Sequence, residues 1–104
     1  MQTIIIVLDP KKLANPVTDL AYAVPVEMEK ETDDKVSDNG FEYFDDDRMG
    51  IWLETENAEE FYPKVIEVMK NKEICGNDLS LTAEVYISKE DCAEFEKCRR
   101  VYPV

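Results

Sequence analysis

The run Thr3-Ile4-Ile5-Ile6-Val7-Leu8 constrains this chain more than any other stretch. A strand with one wet face alternates apolar and polar side chains, but Ile4 to Leu8 are apolar without a break. Such a strand belongs in the middle of a sheet, covered on both faces. Asp9-Pro10 ends it, since proline has no N–H to give to a ladder. Any fold for this chain must therefore supply two apolar layers, one on each side of the run.

The rest of the chain offers helices and strands in alternation. Asn15-Pro16 is a helix-start signal, with Asn as cap and Pro in the first position. Val17, Leu20, Ala21, Val24 and Met28 follow at helical spacing. Pro25 lacks an N–H and clashes with the carbonyl four residues back, which predicts a kink before a second stretch to about Glu31. Asp38-Asn39-Gly40 is a turn signal. Residues 41–44 and 51–56 read as an antiparallel hairpin joined through the polar Asp45-Asp46-Asp47-Arg48. In its second strand Ile51, Leu53 and Thr55 share one face, and Trp52, Glu54 and Glu56 share the other.

Asn57-Ala58-Glu59-Glu60 resembles a capping box before a helix marked by Phe61, Val65, Val68 and Met69. Pro63 is tolerable there only near the first turn. Cys75-Gly76-Asn77-Asp78 reads as a loop. Leu81, Ala83, Val85 and Ile87 alternate with Thr82, Glu84 and Tyr86, the pattern of a half-buried strand. Ser88 and Asp91 predict a short last helix, with Cys92 and Phe95 inward and Val101-Tyr102 packing back.

The expected fold is one α+β domain over residues 1–104. It is a ferredoxin-like split βαβ sandwich: an antiparallel four-stranded sheet with two main helices on one face, plus a short C-terminal helix. Ile5 and Val7, or their alternates, then need cover on the helix-free face. The C-terminal helix or a second copy of the chain is the candidate cover.

Charge narrows the function. The chain has 24 acids against 12 bases and no histidine, a net charge of -12. Residues 27–60 hold fourteen of the acids and three of the bases, a local net of −11, while the flanks nearly cancel. Self-repulsion of that kind opposes folding. With 44% apolar residues the chain is too hydrophobic to be a disordered acidic tail.

Most chemistries are disfavoured by residue type. Without histidine the commonest general base is missing, and no Cys–His pair exists. The serines and threonines lack a base partner, and no glycine-rich phosphate loop is present. The chain therefore reads as a non-enzyme without a cofactor. Cys75, Cys92 and Cys98 are too scattered for a zinc site. Asp45-Asp46-Asp47 reads as a solvated turn rather than a metal site; the EF-hand spacing fails, because the only Asn-Gly puts Lys35 at the first ligand position. Only Lys97, Arg99 and Arg100 cluster, so nucleic acid is disfavoured as a ligand. The run 3–8 is too short for a signal peptide, and no segment nears the ~20 apolar residues of a membrane span. An odd cysteine count reads as reduced thiols in a cytoplasmic protein.

A cationic protein partner remains. The candidate surface is the acidic hairpin: Glu42, Asp45, Asp46, Asp47, Glu54 and Glu56 to steer, and Trp52 either a core residue or an aromatic anchor ringed by acids. The stretch from Asp38 to Asp47, followed by Gly50 to Glu56, resembles small acidic bacterial immunity proteins. These partner the toxins of contact-dependent growth inhibition and other polymorphic toxin systems. The resemblance implies a cytoplasmic protein that binds one basic toxin domain, often a nuclease, and blocks its active site or an exosite. The alternative is a small ligand-binding or regulatory ferredoxin-like module, dimeric through its helix-free face, with the acid serving solubility. Monomer and dimer are both compatible with the sequence.

Overall fold

A computed structural model describes residues 1–104. The fold is α+β, a five-stranded antiparallel sheet with two helices. In chain order the elements are β1 (Gln2–Leu8), α1 (Leu20–Glu31), β2 (Val36–Tyr43), β3 (Met49–Thr55), α2 (Ala58–Asn71), β4 (Glu84–Ser88) and β5 (Arg99–Tyr102). The strands lie in the order β2-β3-β1-β4-β5. The apolar run is the middle strand, as its pattern requires. Ile4 stands between Leu53 and Ile87, and Ile6 between Ile51 and Val85.

Alternation along β1 splits the core in two. Ile4, Ile6 and Leu8 join Ile51, Leu53 and Val85, with Leu20, Val24 and Met28 of α1 and Val65, Val68 and Met69 of α2. Both helices therefore lay their apolar stripes on this side of the sheet. Ile5 and Val7 form a smaller cluster with Trp52 on the other side, packed by Phe44, Tyr86, Phe95 and Cys98. Ile5 is 0% and Val7 2% exposed, so this cover is complete. Each aliphatic side chain buried this way stabilises the fold by about 1.5–3 kcal/mol.

That cover comes from the same chain, in a form the sequence reading did not anticipate. There is no C-terminal helix. Residues 89–94 run as turns and irregular chain, Phe95–Lys97 makes one tight turn, and β5 then adds a fifth strand beside β4. Polar groups of the sheet hold the segment in place. The hydroxyl of Thr3, itself buried, donates to the Glu90 carbonyl at 2.8 Å and accepts the Ala93 N–H at 3.0 Å. The Trp52 indole N–H donates to the Ala93 carbonyl at 2.8 Å. Backbone groups engaged by the sheet are not free to close helical turns, so tertiary bonding overrides the local signal. Ala93 is the buried residue, while Cys92 is exposed and Phe95 half-buried.

Three other boundaries move. The first helix begins at Leu20 and runs through Pro25 without a break. Residues 17–19 form tight turns ahead of it, and the Pro25 ring is buried. Asn15 caps nothing; its N–H donates to the Asn77 side chain at 2.7 Å, and the Asn77 amide returns a bond to the Asn15 carbonyl at 2.8 Å. Asp38-Asn39-Gly40 is no hairpin turn but an irregularity inside β2, where the register with β3 shifts. Gly40 takes φ 96 there, and its N–H donates to the Asp38 carboxylate at 3.0 Å. The last of the expected strands starts only at Glu84, leaving Leu81 in a tight turn and 78% exposed. The cap at Asn57 forms as expected, its side chain accepting the Glu60 N–H at 3.1 Å.

Candidate functional site

The hairpin turn shows how much of the acid is structural. Phe44 N–H donates to the Arg48 carbonyl at 2.8 Å, and Asp47 N–H to the Phe44 carbonyl at 3.0 Å. Asp47 sits at φ 69, a left-handed position that Asp tolerates better than most residues. The Asp46 carboxylate accepts the Arg48 backbone N–H at 3.2 Å and its Nε at 2.7 Å. Those bonds, the backbone one first, hold its carboxyl below the usual range. Asp46 is thus a turn-former as well as a charge.

The same sorting applies to residues 27–60. Glu29 accepts the Asp38 N–H, and Glu31 pairs with Lys72. Glu59 pairs with Arg99, and Glu59 and Glu60 sit favourably in the first turn of α2. Glu27, Asp33, Asp34, Glu42, Asp45, Asp47, Glu54 and Glu56 have no ion-pair partner in the chain. Asp33 and Asp34 follow the C-terminus of α1 at φ 52 and 62. Asn or Gly would take that backbone without adding negative charge to the negative end of the helix dipole.

The seven hairpin residues do not converge. Asp45, Asp46 and Asp47 lie at the turn, while Glu54 and Glu56 lie at the far end of β3, roughly 20 Å away at ~3.3 Å per residue. Glu42 and Trp52 lie between. Trp52 is 9% exposed, so its indole is a core side chain on the helix-free face with one edge at the surface.

What the structure brings together there is a groove of about 350 Å³ between the β2 irregularity and residues 92–96. Phe44, Trp52 and Phe95 give it aromatic walls, and Glu42, Glu94 and Glu96 line it with carboxylates. No Lys or Arg lines it, and none of these three carboxylates has an ion-pair partner. The rings are packed on one another: Phe44 and Phe95 centroids are 4.9 Å apart, Phe44 and Trp52 6.1 Å, and Tyr86 and Phe95 4.7 Å. Gly50 makes this packing possible. A Cβ there would stand 2.6 Å from a Trp52 ring atom and 2.7 Å from a Phe44 ring atom. A second hollow, of about 420 Å³, shares Glu42, Phe44, Phe95 and Glu96 and adds Asp45, Asp46 and Arg48.

Sequence reasoning missed Glu94, Phe95 and Glu96 as site residues. The signal was present in two parts: an aromatic between two acids, and an uncovered apolar face on β1. Only the fold joins them. The aromatic surface that Phe41 and Tyr43 give the other face of β2 extends to a residue of α1 that the sequence reading did not include. Tyr22 of α1 meets Phe41 edge-on at 5.7 Å, and Phe41 meets Tyr43 at 6.2 Å; all three are exposed.

Two other groups are perturbed. Burial, with the Glu90 and Glu96 charges, pushes the Cys98 thiol up to about 11. Burial, with Glu84, raises the Tyr86 phenol. Neither shift activates a nucleophile at neutral pH. No group of three or more His, Cys, Asp or Glu side chains is placed to hold a metal ion. No helix is long and apolar enough to cross a membrane. Comparison with protein-family profiles, with curated proteins and with solved structures finds no match to this chain.

Proposed function

We propose that this protein is a cytoplasmic immunity-type protein that binds and neutralises one basic toxin domain. It acts as a binding module on a ferredoxin-like split βαβ core with an added edge strand, and it performs no catalysis. The observation that supports this best is the set of unpartnered acids. Glu42, Asp45, Asp47, Glu54 and Glu56 lie along the hairpin without cations to neutralise them. Asp33 and Asp34 stand where the α1 dipole disfavours them. Solubility asks only for net charge, and any exposed position satisfies it. A field concentrated on one stretch of surface raises the rate at which a basic partner arrives and disfavours acidic ones.

Against the rival reading, a small ligand-binding or regulatory module dimeric through its helix-free face, stands the burial of Ile5, Val7 and Trp52 within one chain. The chain's own residues 89–98 already cover those side chains.

The test is neutralisation. The immobilised protein captures basic proteins from cells that carry its gene, and captured candidates are expressed alone and together with it. Growth arrest alone and growth when paired is the expected result. A captured set in which no member is toxic, or whose toxicity the protein leaves unchanged, contradicts the proposal.

A further inference from the structure

We infer that the groove between the β2 irregularity and residues 92–96 is an arginine pocket, which receives a guanidinium from the basic partner. This rests on the partner-binding reading above and names the chemistry of its contact point. The volume lies at the lower end of the range for sites that enclose a small ligand or a single long side chain. The walls are three aromatic rings and the lining charges are three unpaired carboxylates, with no cation among them. A carboxylate ligand or a phosphate is repelled by that set. A cation is attracted by its charge, and the aromatic walls can pack the apolar stem that carries the cation.

Arginine fits better than lysine for a physical reason. Its planar guanidinium is weakly hydrated, stacks on aromatic faces and bonds a carboxylate through two N–H groups. Ammonium is compact and gives up its water reluctantly. The chain already performs this chemistry with its own residue. Arg48 lies over the Phe44 ring at 5.6 Å while pairing with Asp46 at 2.7 Å and Glu84 at 3.7 Å. The same Phe44 ring lines the neighbouring groove, whose carboxylates form no ion pair, although Arg48 lines the adjoining hollow with Glu42 and Glu96.

Trp52 is the only tryptophan in the chain and lines the groove, so its emission reports occupancy directly. The probes are acetyl-Gly-Arg-Gly-amide and its lysine and citrulline counterparts, titrated into the full chain. The arginine peptide is expected to give a saturable change. The lysine peptide should bind about tenfold more weakly, about 1.4 kcal/mol, and the citrulline peptide not measurably. Glu94→Gln/Glu96→Gln should weaken the arginine peptide about tenfold, while Asp19→Asn/Glu73→Gln leaves it unchanged. Both pairs are exposed and unpaired, so the variants should fold, which thermal melting checks.

Equal weakening by the remote pair, equal binding of citrulline, or no response from Trp52 overturns the pocket. Self-association that Arg99→Ala/Arg100→Ala abolishes assigns the groove to a second copy and also overturns it. The two proposals fail separately. Arginine-peptide binding without any neutralised partner keeps the pocket and removes the immunity function. A neutralised partner whose affinity ignores Glu94→Gln/Glu96→Gln removes the pocket and keeps the function.

Discussion

The indole N–H of Trp52 donates to the carbonyl of Ala93 at 2.8 Å, a bond that links the hairpin to a segment 41 residues away in the chain. It makes the helix-free face of the sheet one unit with the residues that cover it. The aromatic groove exists because of that link, and Trp52 serves structure and site together.

Trp52→Phe keeps most of the ring and removes the donor. With the Ala93 carbonyl left unpaired, stability should fall by about 1–3 kcal/mol. Trp52→Ala should lose about 3–5 kcal/mol, because a cavity opens over Ile5 and Val7. Urea unfolding measures both. A loss under half a kcal/mol for Trp52→Ala would mean that the indole is not part of the core.

Thr3→Val tests the other pin. The shape is kept, but the hydroxyl that donates to Glu90 and accepts from Ala93 is gone. A loss of about 1–3 kcal/mol is expected. Amide exchange near residues 90–95 should quicken more than exchange in α1. Uniform quickening throughout the chain would argue against a local pin.

Gly50→Ala places a methyl group within 2.6 Å of Trp52 and 2.7 Å of Phe44. Both neighbours are rings packed against other rings, so relief requires the whole cluster to shift. The expected cost is about 1–3 kcal/mol, with a change in Trp52 emission. A variant with native stability and native emission would contradict the close approach.

The cysteines should separate by reactivity. Cys92 is exposed, whereas Cys98 is half-buried with its thiol raised to about 11 from an ordinary 9.0. At pH 8 iodoacetamide should label Cys92 well before Cys98, as peptide mapping reads out. Burial favours the neutral thiol in the folded chain. Its contribution to stability is therefore complete below about pH 9 and is lost as pH rises to about 11. Cys98→Ser should flatten that alkaline slope, and an unchanged slope would assign it to another group.

The sequence carried the sheet further than the site. The unbroken apolar run placed β1 at the centre, and period-two alternation put Ile51, Leu53, Val85 and Ile87 on the helix side. Those are local patterns enforced by burial, and burial is what the fold rewards. The C-terminal segment was misread because its conformation is set by distant partners, Thr3 and Trp52, which no window of neighbouring residues contains. Asp38-Asn39-Gly40 misled for a related reason: a left-handed glycine serves a strand irregularity as well as a turn. The acidic hairpin was legible as composition. The groove was not, since Glu42 meets Glu94 and Glu96 only after β1, β3 and the 89–98 segment have stacked.

The most direct test of the binding proposal is the association rate with the captured basic partner as ionic strength rises from about 0.05 to about 0.5 M, where screening shortens from beyond 10 Å to a few ångströms. If the unpaired hairpin acids steer the encounter, the on-rate should fall about tenfold or more while the off-rate changes little. Asp45→Asn/Asp47→Asn/Glu56→Gln should start lower and fall less. An on-rate that stays flat with salt, or that this triple variant leaves untouched, would contradict steering by the hairpin.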